Sequence, residues 1–165
     1  MATIKNDISW SLFALTGIAI LLPLHFLSYS VLYTEGEVIQ GLFVGLTALL
    51  AGVAGFLTIF SRKHAALLVV GVGGALLIWQ SHQIRRWTMI HEEVIGIIRH
   101  VERVKDTTGS YPDTIEGYSF MHDELKAHIS GHPTEPSNFH LSYFMNDAGT
   151  AYWYDSKDGF GYYPD

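Results

Sequence analysis

The chain contains no cysteine. That excludes a disulfide, a thiolate nucleophile and any metal site built on thiolates. Charge is scarce in the first half: residues 1–80 carry only Lys5, Asp7, Glu35, Glu37, Arg62 and Lys63, which cancel. The formal net charge of −6 therefore lies entirely in residues 81–165. An acidic second half argues against nucleic acid and anionic lipid surfaces as partners, and suits cations or a basic protein. Residues 1–7 have no strongly basic stretch and no small-residue cleavage site before a polar region, so no removable signal peptide is expected. No H-E-x-x-H, no G-x-S-x-G and no phosphate-binding Gly-rich loop occurs; the glycines of GVGG lie inside an apolar run. Nothing in these patterns points to an enzyme.

What is present is apolar length. Residues 8–33 form a first run long enough to cross a bilayer at about 1.5 Å per residue. Trp10 stands at one end and Tyr29 and Tyr33 at the other, where interfacial aromatics belong. Pro23 is a candidate kink. A second run covers about residues 39–60 and a third begins near residue 65. In the second, Gly41, Gly45, Ala48, Gly52 and Gly55 recur at intervals of four, three, four and three, a strip of small residues down one helix face. In lipid such a strip lets another backbone approach closely. The expectation is a tight hairpin of spans two and three across Ser61-Arg62-Lys63-His64; the rival is a homo-oligomer or a partner subunit gripped through span two.

Lys5 precedes the first span and Arg62, Lys63 and His64 separate the second from the third, whereas Glu35 and Glu37 occupy the other turn. The positive-inside bias then puts the amino terminus in the cytoplasm and the part after span three outside, in a bacterium the periplasm. Arg85 and Arg86, directly after span three, argue the other way.

From Gly73 the chain reads as one unbroken helix to about residue 108. Trp87, Ile90, Val94, Ile97, Val101 and Val104 alternate in steps of three and four, one stripe of an α-helix, while Glu92, Arg99, Glu102, Arg103 and Asp106 fall largely off it. Gly96 within it implies either close packing or nothing. Gly109 and Tyr111-Pro112 end it. Beyond lie a loop, a short helix around residues 121–129, a connection GHPTEPSN, and three strands at about residues 139–145, 151–156 and 160–163, with Asn146-Asp147-Ala148-Gly149 and Lys157-Asp158-Gly159 as turns. The expected architecture is three transmembrane helices (residues 1–80) and a small α+β head (residues 81–165), the long helix lying on a three-stranded antiparallel meander.

A span running into an amphipathic helix, then Gly109-Ser110-Tyr111-Pro112, TIEGY and an antiparallel meander, resembles the type IV pilin and type II secretion pseudopilin family. The closing YWYDSKDGFGYYPD is also similar to the tail of small uncharacterised bacterial inner-membrane proteins with such heads. The resemblance covers about residues 74–165, and its most specific piece is four residues long. It implies a head fold used for display or docking. Pilins carry one amino-terminal span behind a basic leader and a cleavage site followed by Phe and Glu; here the equivalent helix is the third span and no such site precedes it, so filament assembly is not implied.

Nine histidines invite a metal reading. His122, His128 and His132 cluster in sequence beside Asp123 and Glu124, but Gly131 and Pro133 interrupt the helix that would bring His128 and His132 to one face. His82, His91 and His100, nine apart, alternate between opposite helix faces. His25 is an ionisable group at mid-span, bonded either to Ser28 or to a neighbouring helix, or functional. Asp155 and Asp158, with Asp147 and Asp165, offer oxygens for calcium; the family resemblance implies the same, since major pseudopilins bind calcium in their carboxy-terminal loops. Asp158-Gly159 is equally explained as a turn. No other cofactor is expected. Tyr152, Trp153, Tyr154, Tyr162 and Tyr163 are the candidate partner surface. The sequence thus leads to a non-enzymatic inner-membrane protein whose head binds another membrane or periplasmic protein, as an accessory subunit or an immunity-type factor. The alternative is a metal-binding sensor or membrane enzyme using head His and Asp residues.

Overall fold

A computed structural model describes residues 7–135, 137–145 and 151–163. The helices are α1 (Trp10–Glu35), α2 (Glu37–Leu57), α3 (Arg62–Leu68) and α4 (Gly74–Thr108), with a π-helical turn, Val69–Gly73, joining α3 to α4. A 3₁₀ helix, Asp123–His128, leads into strands β1 (Ile129–Glu135), β2 (Asn138–Phe144), β3 (Ala151–Asp155) and β4 (Gly159–Tyr163). Three helical stretches, Trp10–Glu35, Glu37–Leu57 and Arg62–Thr108, are long and apolar enough to cross a membrane. The chain divides into two compact units, one of residues up to Tyr33 with Glu37–Gln83, the other of Thr34–Gly36 with Ile84–Asp165.

In the first unit Leu24, Val31, Phe43 and Leu50 form the buried centre. At the start of α3, the Lys63 N–H donates to Asp7 Oδ1 at 2.9 Å and the Arg62 Nε to Oδ2 at 3.0 Å, while the Arg62 guanidinium lies 5.0 Å from the Trp10 ring centroid. Pro23 sits inside α1 without ending it.

Spans two and three do pack against each other, α2 meeting α3 and the π turn, but not through the small-residue strip. Helix α2 buries Phe43, Leu50 and Ala54 instead. Gly41, Gly45, Ala48, Gly52 and Gly55 are all exposed, and a Cβ placed on any of the four glycines would meet nothing. The reason is angular: the buried residues recur at seven and four along a different face of the same helix. The close approach occurs at Gly73, in the π turn, where a Cβ would collide with Ile20 and touch Leu50 and Leu24. The long helix also begins earlier than the sequence suggests, at Arg62.

In the second unit the expected stripe is the core. Ile90, Val94, Ile97 and Val101 are buried together with Leu125, Ile129, Phe139, Leu141, Tyr143 and Tyr152, and Trp87 packs against them. The helix ends at Gly109, whose φ of 84° and N–H bond to the Lys105 carbonyl make a left-handed cap. Tyr111 then turns inward, its hydroxyl donating to Glu102 Oε1 at 2.6 Å and its ring against Phe139. Gly96 is there for close packing. A Cβ would strike the Tyr118 hydroxyl, which donates to Oε2 of the buried Glu93 at 3.0 Å; Glu93 Oε1 accepts from the His122 N–H at 2.6 Å. Burial first and Glu93 second push the Tyr118 phenol up to about 12.

The sheet has four strands in the order β1-β2-β3-β4, all antiparallel, not three. The segment expected as a connection, around GHPTEPSN, contains β1. Its Gly131 and Pro133 are poor strand residues, but β1 is an edge strand, where Pro costs no ladder bond on the open side. Gly131 is required, because a Cβ there would run into Leu141 and Ile115. The expected short helix is a 3₁₀ turn, Asp123–His128, with Leu125 buried in the core. The turn at Asn146-Asp147-Ala148-Gly149 lies outside the described residues.

Two predictions follow from packing. Replacing Gly73 by Leu in full-length protein should lower the detergent melting temperature, whereas Gly45→Leu should not, because the first site is filled and the second open. Gly96→Ala should destabilise the wild type but stabilise a Tyr118→Ala variant by up to about 1 kcal/mol, the helix propensity gained once the phenol is gone. Thermal melts followed by circular dichroism read both, and an unchanged sign at Gly96 would remove Tyr118 as the cause.

Candidate docking surface

Pairing register decides which aromatics are available. Alternation puts Phe139, Leu141 and Tyr143 of β2 on the core side, with Tyr152 opposite Tyr143. Tyr152 is therefore buried, 3% exposed, stacked on Tyr143 and packed at a tilt against Trp87 with ring centroids 4.6 Å apart; it is core, not partner surface. Tyr154 shares that side, half-buried against Phe160 with ring centroids 5.0 Å apart. Tyr162 is 37% exposed at the end strand, its ring centroid 6.3 Å from that of Tyr152. The side chain of Tyr163 lies outside the described residues. Of the five expected surface residues, Trp153 points the other way, half-buried on the outer face.

That outer face is built across all four strands. His132 of β1 pairs with His140 of β2, Ser142 with Trp153 of β3, and Trp153 with Gly161 of β4. The His132 and His140 rings are 5.9 Å apart; His140 and Trp153 are stacked at 6.2 Å with planes 21° from parallel. The indole lies where any side chain at 161 would have to be, so glycine there lets the ring settle on the strand. His140 also reaches Ser142 Oγ at 3.2 Å.

Asp155 closes one end of this row. Its Oδ1 accepts the Lys157 N–H at 2.9 Å, its Oδ2 accepts Asn138 Nδ2 at 2.9 Å, and His140 Nδ1 is 3.7 Å away. Asn138 in turn accepts from the Ser156 hydroxyl at 2.6 Å and donates to Thr134 Oγ1 at 3.0 Å. Burial raises the Asp155 carboxyl, but the amides of Lys157 and Asp158, the Asn138 side chain and His140 outweigh it and hold it below its ordinary value.

The metal candidates are not gathered. His128 ends the 3₁₀ helix with Nε2 3.2 Å from Arg86 Nη2, His132 belongs to the outer face, Asp155 is engaged as described, and Asp158 is exposed in a turn. Among the described residues no three His, Asp or Glu side chains converge as a metal site. Asp147 and Asp165 lie outside the described residues. His25 is exposed on α1, beside a crevice of about 250 Å³ lined by Leu21, Ser28, Val44, Thr47 and Ala48. The Ser28 hydroxyl donates to the His25 backbone carbonyl, not to its ring.

His140, Ser142 and Gly161 were not singled out by sequence reasoning. The signal was present in NFHLSYF, where alternation with Phe139, Leu141 and Tyr143 assigns His140 and Ser142 to the opposite face.

Because the Asp155 carboxyl is lowered, its stabilisation is complete above the ordinary carboxylate value and is lost as the pH falls through the lower folded one. Asp155→Asn should cost about 1.5–3 kcal/mol near neutrality, the worth of bonds to a charged acceptor, and should flatten the acid limb of stability below about pH 4. Melting temperature against pH for both proteins checks this; parallel acid limbs would assign the acid sensitivity elsewhere.

No family model, curated protein or solved structure matches the chain.

Proposed function

We propose that this is a non-enzymatic multi-pass protein of a bacterial inner membrane, with its amino terminus in the cytoplasm and a periplasmic head that docks another protein. The observation that carries this is the outer sheet face, where Trp153 lies over Gly161 beside His132 and His140, none of them needed by the core. Partly exposed aromatics on a rigid sheet are the usual anchors of protein interfaces. The length and hydropathy of three helical stretches support the membrane assignment, and the basic turn at Arg62 and Lys63 against the acidic one at Glu35 and Glu37 supports the orientation. The resemblance of residues 74–165 to pilin and pseudopilin heads supports a docking role without filament assembly. An accessory subunit of a membrane complex and an immunity-type factor both fit this reading. A further association through span two, with a second copy or a partner subunit, is supported by the uncovered strip Gly41, Gly45, Ala48, Gly52 and Gly55.

A photo-crosslinking residue placed at Ser142, in the full chain in its native membrane, should give one discrete adduct. The same probe at Arg103, exposed on α4, should give none. Equal adducts from both positions, or none from either, would remove the outer face as the docking surface. A probe at Leu46 should trap a second helix at span two, and an adduct of twice the chain's mass there would identify a homo-oligomer.

A further inference from the structure

Helices α1 and α2 are joined through Gly36 alone, and the crevice of about 250 Å³ beside His25 lies between them. Its residues pair off by depth. Leu21 and Ala51, His25 and Thr47, and Ser28 and Val44 stand respectively 15, 11 and 8 residues to either side of Gly36. At about 1.5 Å per residue, His25 and Thr47 are both about 16 Å from the turn, half-way through a hydrocarbon layer about 30 Å thick. The exposed His25 also lines a more open hollow on its other side, with Gly17, Ile18 and Leu22.

The imidazole is not satisfied within the chain. Its ring meets Phe26 and Tyr29 of the same helix edge-on, with centroids 5.9 and 6.0 Å away, and neither ring nitrogen has a hydrogen-bond partner among the described residues. Acyl chains accept no hydrogen bond, so an N–H at this depth needs an acceptor from another polypeptide. The crevice itself shows what that acceptor is. The Thr47 hydroxyl donates to the Phe43 carbonyl at 2.9 Å, which leaves the lone pairs of Oγ1 as an acceptor and no donor. One face thus carries an N–H without an acceptor and, at the same depth, an oxygen without a second donor. Two copies inserted in the same orientation are related by an axis along the membrane normal, so residues of equal depth meet. Gly45, Ala48 and Gly52, beside Thr47 on α2, are uncovered and leave room for another helix. Resting on the membrane reading and on the association through span two, we propose that a second copy of this chain covers the crevice. The His25 N–H of each copy donates to Thr47 Oγ1 of the other, two reciprocal bonds about one twofold axis.

The chain contains no cysteine, so introduced cysteines report this contact alone. Two differently tagged full-length copies, one His25→Cys and the other Thr47→Cys, are co-expressed and oxidised in the membrane with copper phenanthroline. A disulfide joining the two tags is expected. None is expected when Leu15→Cys, exposed on α1 about 15 Å away in depth, replaces His25→Cys. Dimerisation is then measured by energy transfer between fluorescent-protein fusions in liposomes of phosphatidylethanolamine and phosphatidylglycerol. His25→Phe and Thr47→Val should each weaken it about five- to a hundredfold, and the double variant no more than either, because both remove the same two bonds. Thr47→Ser keeps the acceptor and should dimerise like the wild type. Absence of the disulfide between positions 25 and 47, an equal yield from Leu15→Cys, or additive losses in the double variant would each overturn the proposal. A mixed disulfide of His25→Cys with a different membrane protein would assign the crevice to that subunit and reject the second copy. A Leu46 adduct of twice the chain's mass without the disulfide would keep the association through span two and reject the imidazole bond, whereas release of the chain from membranes by alkaline carbonate would reject the membrane reading itself.

Discussion

Burying one helical stripe, Ile90, Val94, Ile97 and Val101, is the constraint on which the second unit depends. The α4 segment that carries it has a polar opposite face, and an isolated amphipathic helix gains little in water until its apolar side is covered. The cover is the β2–β3 pair, whose Phe139, Leu141, Tyr143 and Tyr152 fill the space above the stripe. At roughly 1.5–3 kcal/mol per fully buried large side chain, this stripe outweighs the polar bonds around it. The other features follow from holding that contact in register. Tyr111 ties the end of α4 to Phe139, and Glu93 ties its middle to the loop through Tyr118 and His122. A buried carboxylate is costly unless its oxygens are satisfied, and here each oxygen accepts one donor from the same loop. Gly96 is the concession that lets the phenol reach it.

The stripe and the helix end were legible in the sequence because they depend on local spacing and on one glycine. Strands β2, β3 and β4 were legible for the same reason: alternation and turn residues are local. Strand β1 was not, because Ser130-Gly131-His132-Pro133 has no strand propensity of its own; the segment is held extended by pairing with β2, at a position where the glycine makes room for Leu141 and Ile115 and an edge tolerates proline. Tyr152 was misread for a related reason. A run of consecutive aromatics names no face, and only the register against β2 separates Tyr152 from Trp153. The His140–Trp153 contact joins two strands diagonally, and no spacing within one chain segment encodes it.

The first unit shows the opposite balance. Composition alone identifies helices long enough to cross a bilayer, but not which faces meet. Lipid is as apolar as leucine, so hydrophobicity does not choose between helix faces there, and fit does. The five-residue strip of α2 looks like the best fit in the sequence, yet the contact forms around Phe43, Leu50 and Ala54, with the closest approach at Gly73 against Ile20. A single glycine in a π turn, where the backbone is locally wider, proves a better site of approach than a regular row of them. The row is left free to meet something outside the chain.

The two ends of the sheet bear on how a partner can engage it. An open strand edge invites pairing with another chain, and proteins that avoid this shorten or interrupt their edges. Edge strand β1 carries Pro133 and a register shift between Pro133 and Glu135, and edge strand β4 is five residues long with two glycines. Neither offers a long unbroken ladder for strand addition. The outer face, by contrast, is continuous over all four strands and is held flat by Gly161 under Trp153. An indole kept partly in water contributes less to folding than one in the core, and the glycine beneath it weakens its own strand. Both costs fall on the same pair of residues, and covering the ring would offset the first of them. On the proposed docking reading, a sheet with blunted edges and one such face would be met face-on by side chains rather than by an added strand.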